Sequence, residues 1–475
     1  MNALWSTQEM IEAMGARPFG ALPEFVSGVA IDTRTLTPGD AFFAIKGERF
    51  DGHNFMTQAM KAGASVAVVA EERLVALGSQ PIPLLVVTDV LEALGRLGVA
   101  ARRRSQAKVI AVTGSVGKTT TKELLRTALG ASGKVHASPA SFNNHWGVPL
   151  TLARLPTDCR FAVFEIGMNH AGEITPLAAM VRPHIAIVTT IAAAHMGAFS
   201  SLDAIARAKA EIFGGVISGG VALINCDIPE FDLLKKLASE AGVQHIAGFG
   251  AGKDADFRLI EAELGSEGSK VLASLGDDDV EYFLPVPGAH MIANSLAVLG
   301  AAMLVGADLD ASIAALGGAQ AQGGRGQRHR LAIGVGFATI IDESYNANPA
   351  SMAAALQVLG SHEPSWGGRR IAVLGDMLEL GSHSARLHRE LKDVIERNRV
   401  DLVYLAGPEM AALAEELAPP LLGGYFADAG ELGQLLAGEI GAGDTVMLKA
   451  SNGLKFSNVV GTILGAFPVD QDGAR

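Results

Sequence analysis

Short apolar, β-branched runs recur along the chain in three groups separated by polar or glycine-rich stretches. The first group covers 29–31, 41–45, 66–70 and 84–87, with a helical spacing of apolar positions around 55–61, and predicts a small α/β domain. The second covers 109–113, 161–166, 185–190 and 221–225. It alternates with helix-like segments, which predicts a mostly parallel sheet. The third, 339–341, 371–374, 402–405 and 446–448, keeps the same rhythm and predicts a third α/β domain. A helix starting near Leu91 ends in Arg102, Arg103 and Arg104, where a domain junction is expected. The stretch 319–330, rich in Gly, Gln and Arg, is the expected hinge. The expected divisions are 1–105, 106–322 and 323–475, with no internal repeat or low-complexity tract.

One stretch tests this reading. No Asp, Glu, Lys or Arg occurs between Phe283 and Ala307, which on length alone makes a membrane-span candidate. Pro285, Pro287, Gly288, His290, Asn294 and Ser295 interrupt it, so a buried helix from near His290 is expected instead. At 475 residues the chain exceeds one ordinary core, and 49% hydrophobic content with 56 glycines suits compact α/β domains with many tight turns. The formal charge of −12 argues against nucleic acid or anionic membrane as partners, so anionic ligands must meet local basic groups. Only two cysteines, Cys159 and Cys226, occur, far apart in sequence; a reducing cytoplasm is the expected compartment. The start, with Glu9 and Glu12 and no basic segment before an apolar core, does not resemble a secretory signal.

The apolar run at 109–113 breaks into Gly114-Ser-Val-Gly-Lys-Thr-Thr-Thr-Lys122. A strand that turns at Gly114 and Gly117 can point backbone N–H groups at an anion, and a helix beginning near Thr119 adds its positive dipole end. Gly114, Ser115, Val116, Gly117, Lys118, Thr119 and Thr120 therefore form a candidate phosphate cradle, with Lys118 toward the β/γ-phosphates and the Thr119 hydroxyl toward Mg²⁺. The spacing between the glycines is shorter than in most P-loop proteins. Parallel sheets bind ligands at the carboxyl ends of their strands, so residues just past Ile166 and Thr190 become candidates for the same site. Glu165 ends an apolar strand, where a charge is costly unless paired with a cation such as Mg²⁺. On its residues alone Lys209 reads as a solvated lysine on an amphipathic surface, and His195 as a hydrogen-bonded structural histidine.

Together with these features, several segments resemble the Mur ligase family over nearly the whole chain: the phosphate turn itself, Glu165-Ile-Gly-Met-Asn169, Ala208-Lys-Ala-Glu-Ile-Phe213, Ser344-Tyr-Asn-Ala-Asn-Pro349 and Leu374-Gly-Asp-Met-Leu-Glu-Leu-Gly381. The last two are similar to members that add a D-alanyl-D-alanine dipeptide. The resemblance implies a Rossmann-like third domain, ATP and Mg²⁺ as cofactors, UDP-N-acetylmuramoyl-tripeptide and D-Ala-D-Ala as substrates, an acyl-phosphate intermediate, and a monomeric cytoplasmic enzyme.

It also implies residue roles. Thr33, Arg34 and Lys46 would hold the uridine diphosphate, although without the resemblance they read equally as a surface loop with ordinary salt bridges. Asn143 and Asn144 would donate amides beside the acyl acceptor, in a loop where His145 and Trp146 depart from the usual small or aliphatic residues. Thr119, Glu165, His195 and Lys209 would serve the metals, with Lys209 carbamoylated by CO₂. Asn294 would contact adenine, beside Met291 where the family usually has asparagine; Asp342, Glu343 and Tyr345 would contact the ribose and nucleotide. Arg325 would reach the γ-phosphate, and with Lys118, Lys209 and His195 would complete the catalytic set. Near the end, Lys449-Ala-Ser-Asn-Gly453 lacks the arginine common in the family. Folylpolyglutamate synthase and a P-loop regulatory ATPase are the rival readings.

Overall fold

The computed structural model describes residues 3–78, 80–194 and 196–468. Its architecture is α/β, built on three main sheets. The first has five strands in the order Arg17–Phe19, Leu84–Val87, Val66–Ala70, Ala41–Phe43, Val29–Ala30, parallel except at the Arg17–Phe19 edge. The helix Val90–Arg104 leads out of it, with the Asp89 carboxylate accepting the Glu92 N–H at 2.7 Å. The terminal arginines of this helix tie the units together. Arg102 donates to the Val181 and Arg182 carbonyls, and the Arg104 guanidinium stacks 3.3 Å over the Trp5 ring.

The second sheet has nine strands. Lys108–Thr113 sits between Ile185–Val188 and Phe161–Glu165, all parallel, so their carboxyl ends open side by side. Side chains alternate across Lys108–Thr113: Val109 and Ala111 pack with the N-terminal helices, while Ile110 and Val112 face Leu124 and Leu125 of the helix Lys118–Gly130. Each such fully buried aliphatic side chain contributes roughly 1.5–3 kcal/mol, enough to hold the strand ends in register. The charge-free stretch forms the helix Ala289–Leu304, buried along most of its length, as its interrupted apolar pattern predicts. Among the described residues no helix is long and apolar enough to cross a membrane.

Part of this sheet escapes the apolar-run reading. The strands Phe257–Leu264, Ser269–Leu275 and Asp278–Leu284 extend it as an antiparallel meander. They are covered on one face only, and Ser269–Leu275 alternates buried with less buried positions, so no continuous apolar run marks them.

The third sheet runs Gln327–Ile333, Gly336–Glu343, Thr445–Lys449, Arg370–Gly375, Leu402–Ala406, Leu422–Phe426, with only the first pair antiparallel. The expected hinge over 319–330 is shorter than its composition suggests. Gln327 already pairs with Asp342, and the ladder satisfies backbone groups that the polar side chains give no hint of.

Candidate functional site

The carboxyl end of Lys108–Thr113 turns sharply at Gly114, whose φ of +148 is a glycine conformation. A Cβ there would lie 1.9 Å from Thr189 Oγ1, a hydroxyl that donates to the Val116 carbonyl at 2.6 Å and staples the turn. Gly117, at φ +88, then opens the helix Lys118–Gly130, whose first residues Lys118, Thr119 and Thr120 line a cavity. Lys118 lines that cavity and donates to the Gly114 carbonyl at 2.7 Å. Burial lowers its pKa, opposed by Glu165 and reinforced by Arg325.

Glu165, only 2% exposed, ends its strand facing the turn. Its Oε2 accepts from Thr119 Oγ1 at 2.8 Å and its Oε1 from Asn143 Nδ2 at 2.7 Å, while Ser141 Oγ lies 2.9 Å from the same Thr119 hydroxyl. This hard-oxygen set suits Mg²⁺. Among the described residues, which leave out His195, no group of three or more His, Cys, Asp or Glu is placed to hold a metal ion.

Lys209 corrects the reading from its residues alone. It is 1% exposed at the end of the helix Leu202–Ala210, on the face shared with Ile205, Ala206 and Ala208. Burial drives its pKa well below the ordinary lysine value, and the neighbouring Lys118 pushes the same way. Lys209 is therefore a buried amine whose charged form is disfavoured, in electrostatic contact with Lys118 of the phosphate turn. His195 falls outside the described residues.

The third domain closes the opposite wall. Arg325 lies 3.9 Å over the Tyr345 ring, with its Nη2 3.4 Å from Ser141 Oγ. Tyr345 and Glu343 line the cavity, but the Asp342 carboxylate accepts the Gly324 and Ser344 N–H groups, each at 3.0 Å, and holds the hinge turn. Asn294 is buried beneath Gly117, whose added Cβ would meet its Oδ1 at 2.9 Å. Met291, not Asn294, shows on the surface of both this cavity and an adjoining one lined by Leu124, Gln320 and Gln322.

Three participants escaped the sequence reading. Ser141 bridges Thr119 and Arg325, and the Asn348 side chain caps the helix Pro349–Gly360, whose start lines the cavity. Lys449 reaches the same wall, donating to Glu343 Oε2 at 3.1 Å and the Asn346 carbonyl at 2.9 Å. Its place as the last residue of the strand Thr445–Lys449 was the available signal.

A second site lies in the first domain, a cavity of about 800 Å³. Thr33, Arg34, Phe50 and Phe55 line it, together with Asn144, His145 and Trp146 from the central domain. The Arg34 guanidinium is fixed by Asp32 (Nη2–Oδ2 2.6 Å), which holds the Asp32 carboxyl below its ordinary value. Lys46 is exposed and is not part of the lining. The two neighbouring asparagines thus separate: Asn143 serves Glu165, whereas Asn144 faces the first-domain cavity while its Oδ1 accepts the Trp146 and Gly147 N–H groups.

A phosphate-type turn, a hinge arginine over Tyr345 and a separate first-domain cavity are features of an α/β protein with two distinct candidate sites. Residues 25–114 match the family model described as Mur ligase family, catalytic domain, 112–302 the Mur ligase middle domain, and 324–452 the Mur ligase glutamate ligase domain. The chain belongs to the Mur ligase family. It is 37% identical over 403 residues to the UDP-N-acetylmuramoyl-tripeptide–D-alanyl-D-alanine ligase of Escherichia coli (strain K12), covering 85% of each chain. Among solved structures, a MurF from Acinetobacter baumannii superposes with a TM-score of 0.84 at 31% identity, covering 97% of this chain and 99% of that one. The Thermotoga maritima MurF in complex with ADP gives 0.76 at 25% identity, covering 92% and 96%.

Proposed function

We propose that this protein is an ATP-dependent ligase that joins D-Ala-D-Ala to UDP-N-acetylmuramoyl-tripeptide in cytoplasmic synthesis of peptidoglycan precursors. The observation that carries the reading is the loop 141–146, which touches the phosphate site through Ser141 and Asn143 and the first-domain cavity through Asn144, His145 and Trp146. One substrate can then be gripped at its nucleotide end in the first domain while its peptide carboxylate reaches the phosphate turn. A regulatory ATPase has no use for that second cavity. The names of the relatives supply the substrate identities.

In the reaction the tripeptide's terminal carboxylate oxygen attacks the γ-phosphorus, breaking its bond to ADP and forming an acyl phosphate. The amine of D-Ala-D-Ala then attacks the acyl carbon, and phosphate leaves with the proton lost from nitrogen. Carboxylate and triphosphate repel, so Lys118 and Arg325 offset their charge. The stacked, planar Arg325 can grip two γ-phosphate oxygens. We assign Thr119, Glu165 and Lys209 to the metal sites together with His195. Mg²⁺ held there would neutralise charge developing on the phosphates. The neutral Lys209 amine is the form that adds CO₂ to become a carbamate ligand. Adenine is assigned to the cavity beside Met291, ribose to Glu343 and Tyr345, and uridine diphosphate to Thr33 and Arg34. The domain joins are placed after residues 105 and 322.

Phosphate release from ATP, assayed with each substrate alone and with both, tests the function. Release should require the UDP-linked tripeptide and D-Ala-D-Ala together, with a product of the summed mass less water. Efficient ligation of a single amino acid to a shorter muramoyl peptide, or of glutamate to a folate, would replace this reading.

A further inference from the structure

Trp146 makes a side-chain contact between the central and first domains. The indole crosses from the central domain to the first, packing so closely on Gly47 that a Cβ there would lie 2.7 Å from Trp146 Cη2. Its Nε1–H donates to His145 Nε2, so both aromatic rings are fixed to one another as they wall the first-domain cavity.

The loop behind Trp146 is stiff. Buried Lys122 donates to the Ser138 and Ala140 carbonyls at 2.8 and 3.1 Å, and the Gly167 N–H bonds the Asn143 carbonyl at 2.8 Å. Gly147 passes so near Phe142 that a Cβ would meet its backbone carbonyl carbon at 2.5 Å. Beyond it the helix Gly147–Ala153 is buried at every residue. Within this loop Trp146 lies three residues from Asn143, whose amide sets Glu165, and five from Ser141, which touches Thr119 and Arg325.

We infer that Trp146 is a positioning residue that couples occupancy of the first-domain cavity to the geometry of the phosphate site. Resting on the reading of that cavity as the UDP-substrate site, the inference makes the two ligands tighten each other's binding. Because coupling is reciprocal, either can be titrated in the presence of the other. The free protein then holds ATP in a less competent arrangement until its acyl substrate is bound, which limits wasteful hydrolysis.

Calorimetry on the full chain tests this, titrating Mg²⁺ with β,γ-methylene ATP, with and without saturating UDP-N-acetylmuramoyl-tripeptide. The parent should bind the analogue about fivefold or more tightly when the UDP-linked substrate is present, a coupling of ordinary size. Trp146→Phe should keep most of that ratio and Trp146→Ala should lose it. Gly47→Ala approaches the indole from the other domain, leaves the tryptophan itself intact, and should also reduce the ratio. The ratio separates coupling from simple loss of a binding wall, which changes affinity for the UDP-linked substrate alone. An unchanged ratio in both Trp146→Ala and Gly47→Ala, or no coupling in the parent, overturns the inference while leaving the cavity's reading in place. Failure of the parent to bind the UDP-linked substrate overturns both.

Discussion

The Arg325 guanidinium carbon lies over the Tyr345 ring, 3.9 Å from its centroid, beside the Ser141 hydroxyl that contacts Thr119 of the phosphate turn. Stacking fixes the plane of a fork that would otherwise sweep a wide arc, and leaves its edge toward Ser141 and the cavity. Arg325→Lys keeps the charge but loses the stack and the fork. Steady-state kinetics should show kcat falling at least tenfold, about 1.4 kcal/mol, with unchanged affinity for the UDP-linked substrate. Parent-like kcat would remove the γ-phosphate role.

Lys118→Ala should abolish ligation yet leave UDP-linked substrate binding nearly intact, because the two sites lie in different domains. The loss of transition-state stabilisation should be roughly 2–4 kcal/mol or more, the scale of one preorganised contact. Near-normal turnover of the purified variant would contradict the phosphate-turn assignment.

Gly114→Ala probes the turn without touching a charge. Its Cβ would overlap Thr189 Oγ1, and its backbone sits at φ +148, so the turn must deform. Binding of an ATP analogue, followed by calorimetry, should fall at least tenfold while the first-domain cavity still takes its ligand. Equal affinity in the variant would show that the close approach is not needed.

Lys209 gives a pH-dependent expectation. Its folded pKa is depressed far below the 10.5 of a free lysine, so between the two values the unfolded chain binds the extra proton. Stability therefore rises with pH through that window, and at neutral pH the unmodified amine destabilises the fold. In CO₂-free buffer Lys209→Met should raise the melting temperature at pH 7, with the gain shrinking as pH approaches 10.5. Lys209→Ala should lose activity and recover part of it with added short carboxylates; turnover equal to the parent would remove the metal-ligand role.

The sequence disclosed those parts of the site that obey strand-end logic. Lys118, Thr119 and Glu165 follow or end apolar runs, and the parallel sheet brings them together. Burial of Lys209 was not legible, because the helix end is buried on most sides and the small alanines at 206, 208 and 210 give apolar periodicity little to register. The split between Asn143 and Asn144 depends on loop conformation, which no periodicity encodes. The meander over 257–284 and the strand Gln327–Ile333 were hidden by their exposed polar faces, their register being set by backbone ladders. Conversely, the Gly-Gln-Arg composition that suggested a long hinge described only the turn before Gln327.

Isotope transfer tests the central claim most directly. With the tripeptide's terminal carboxylate labelled with ¹⁸O, ligation through an acyl phosphate places one ¹⁸O in each phosphate released, since the bridging oxygen leaves with phosphorus. Mass spectrometry of the phosphate should show that single label, dependent on D-Ala-D-Ala and lost in step with turnover in Lys118→Ala. Unlabelled phosphate accompanying full product formation would contradict carboxylate attack on the γ-phosphorus, and with it the role assigned to the phosphate turn.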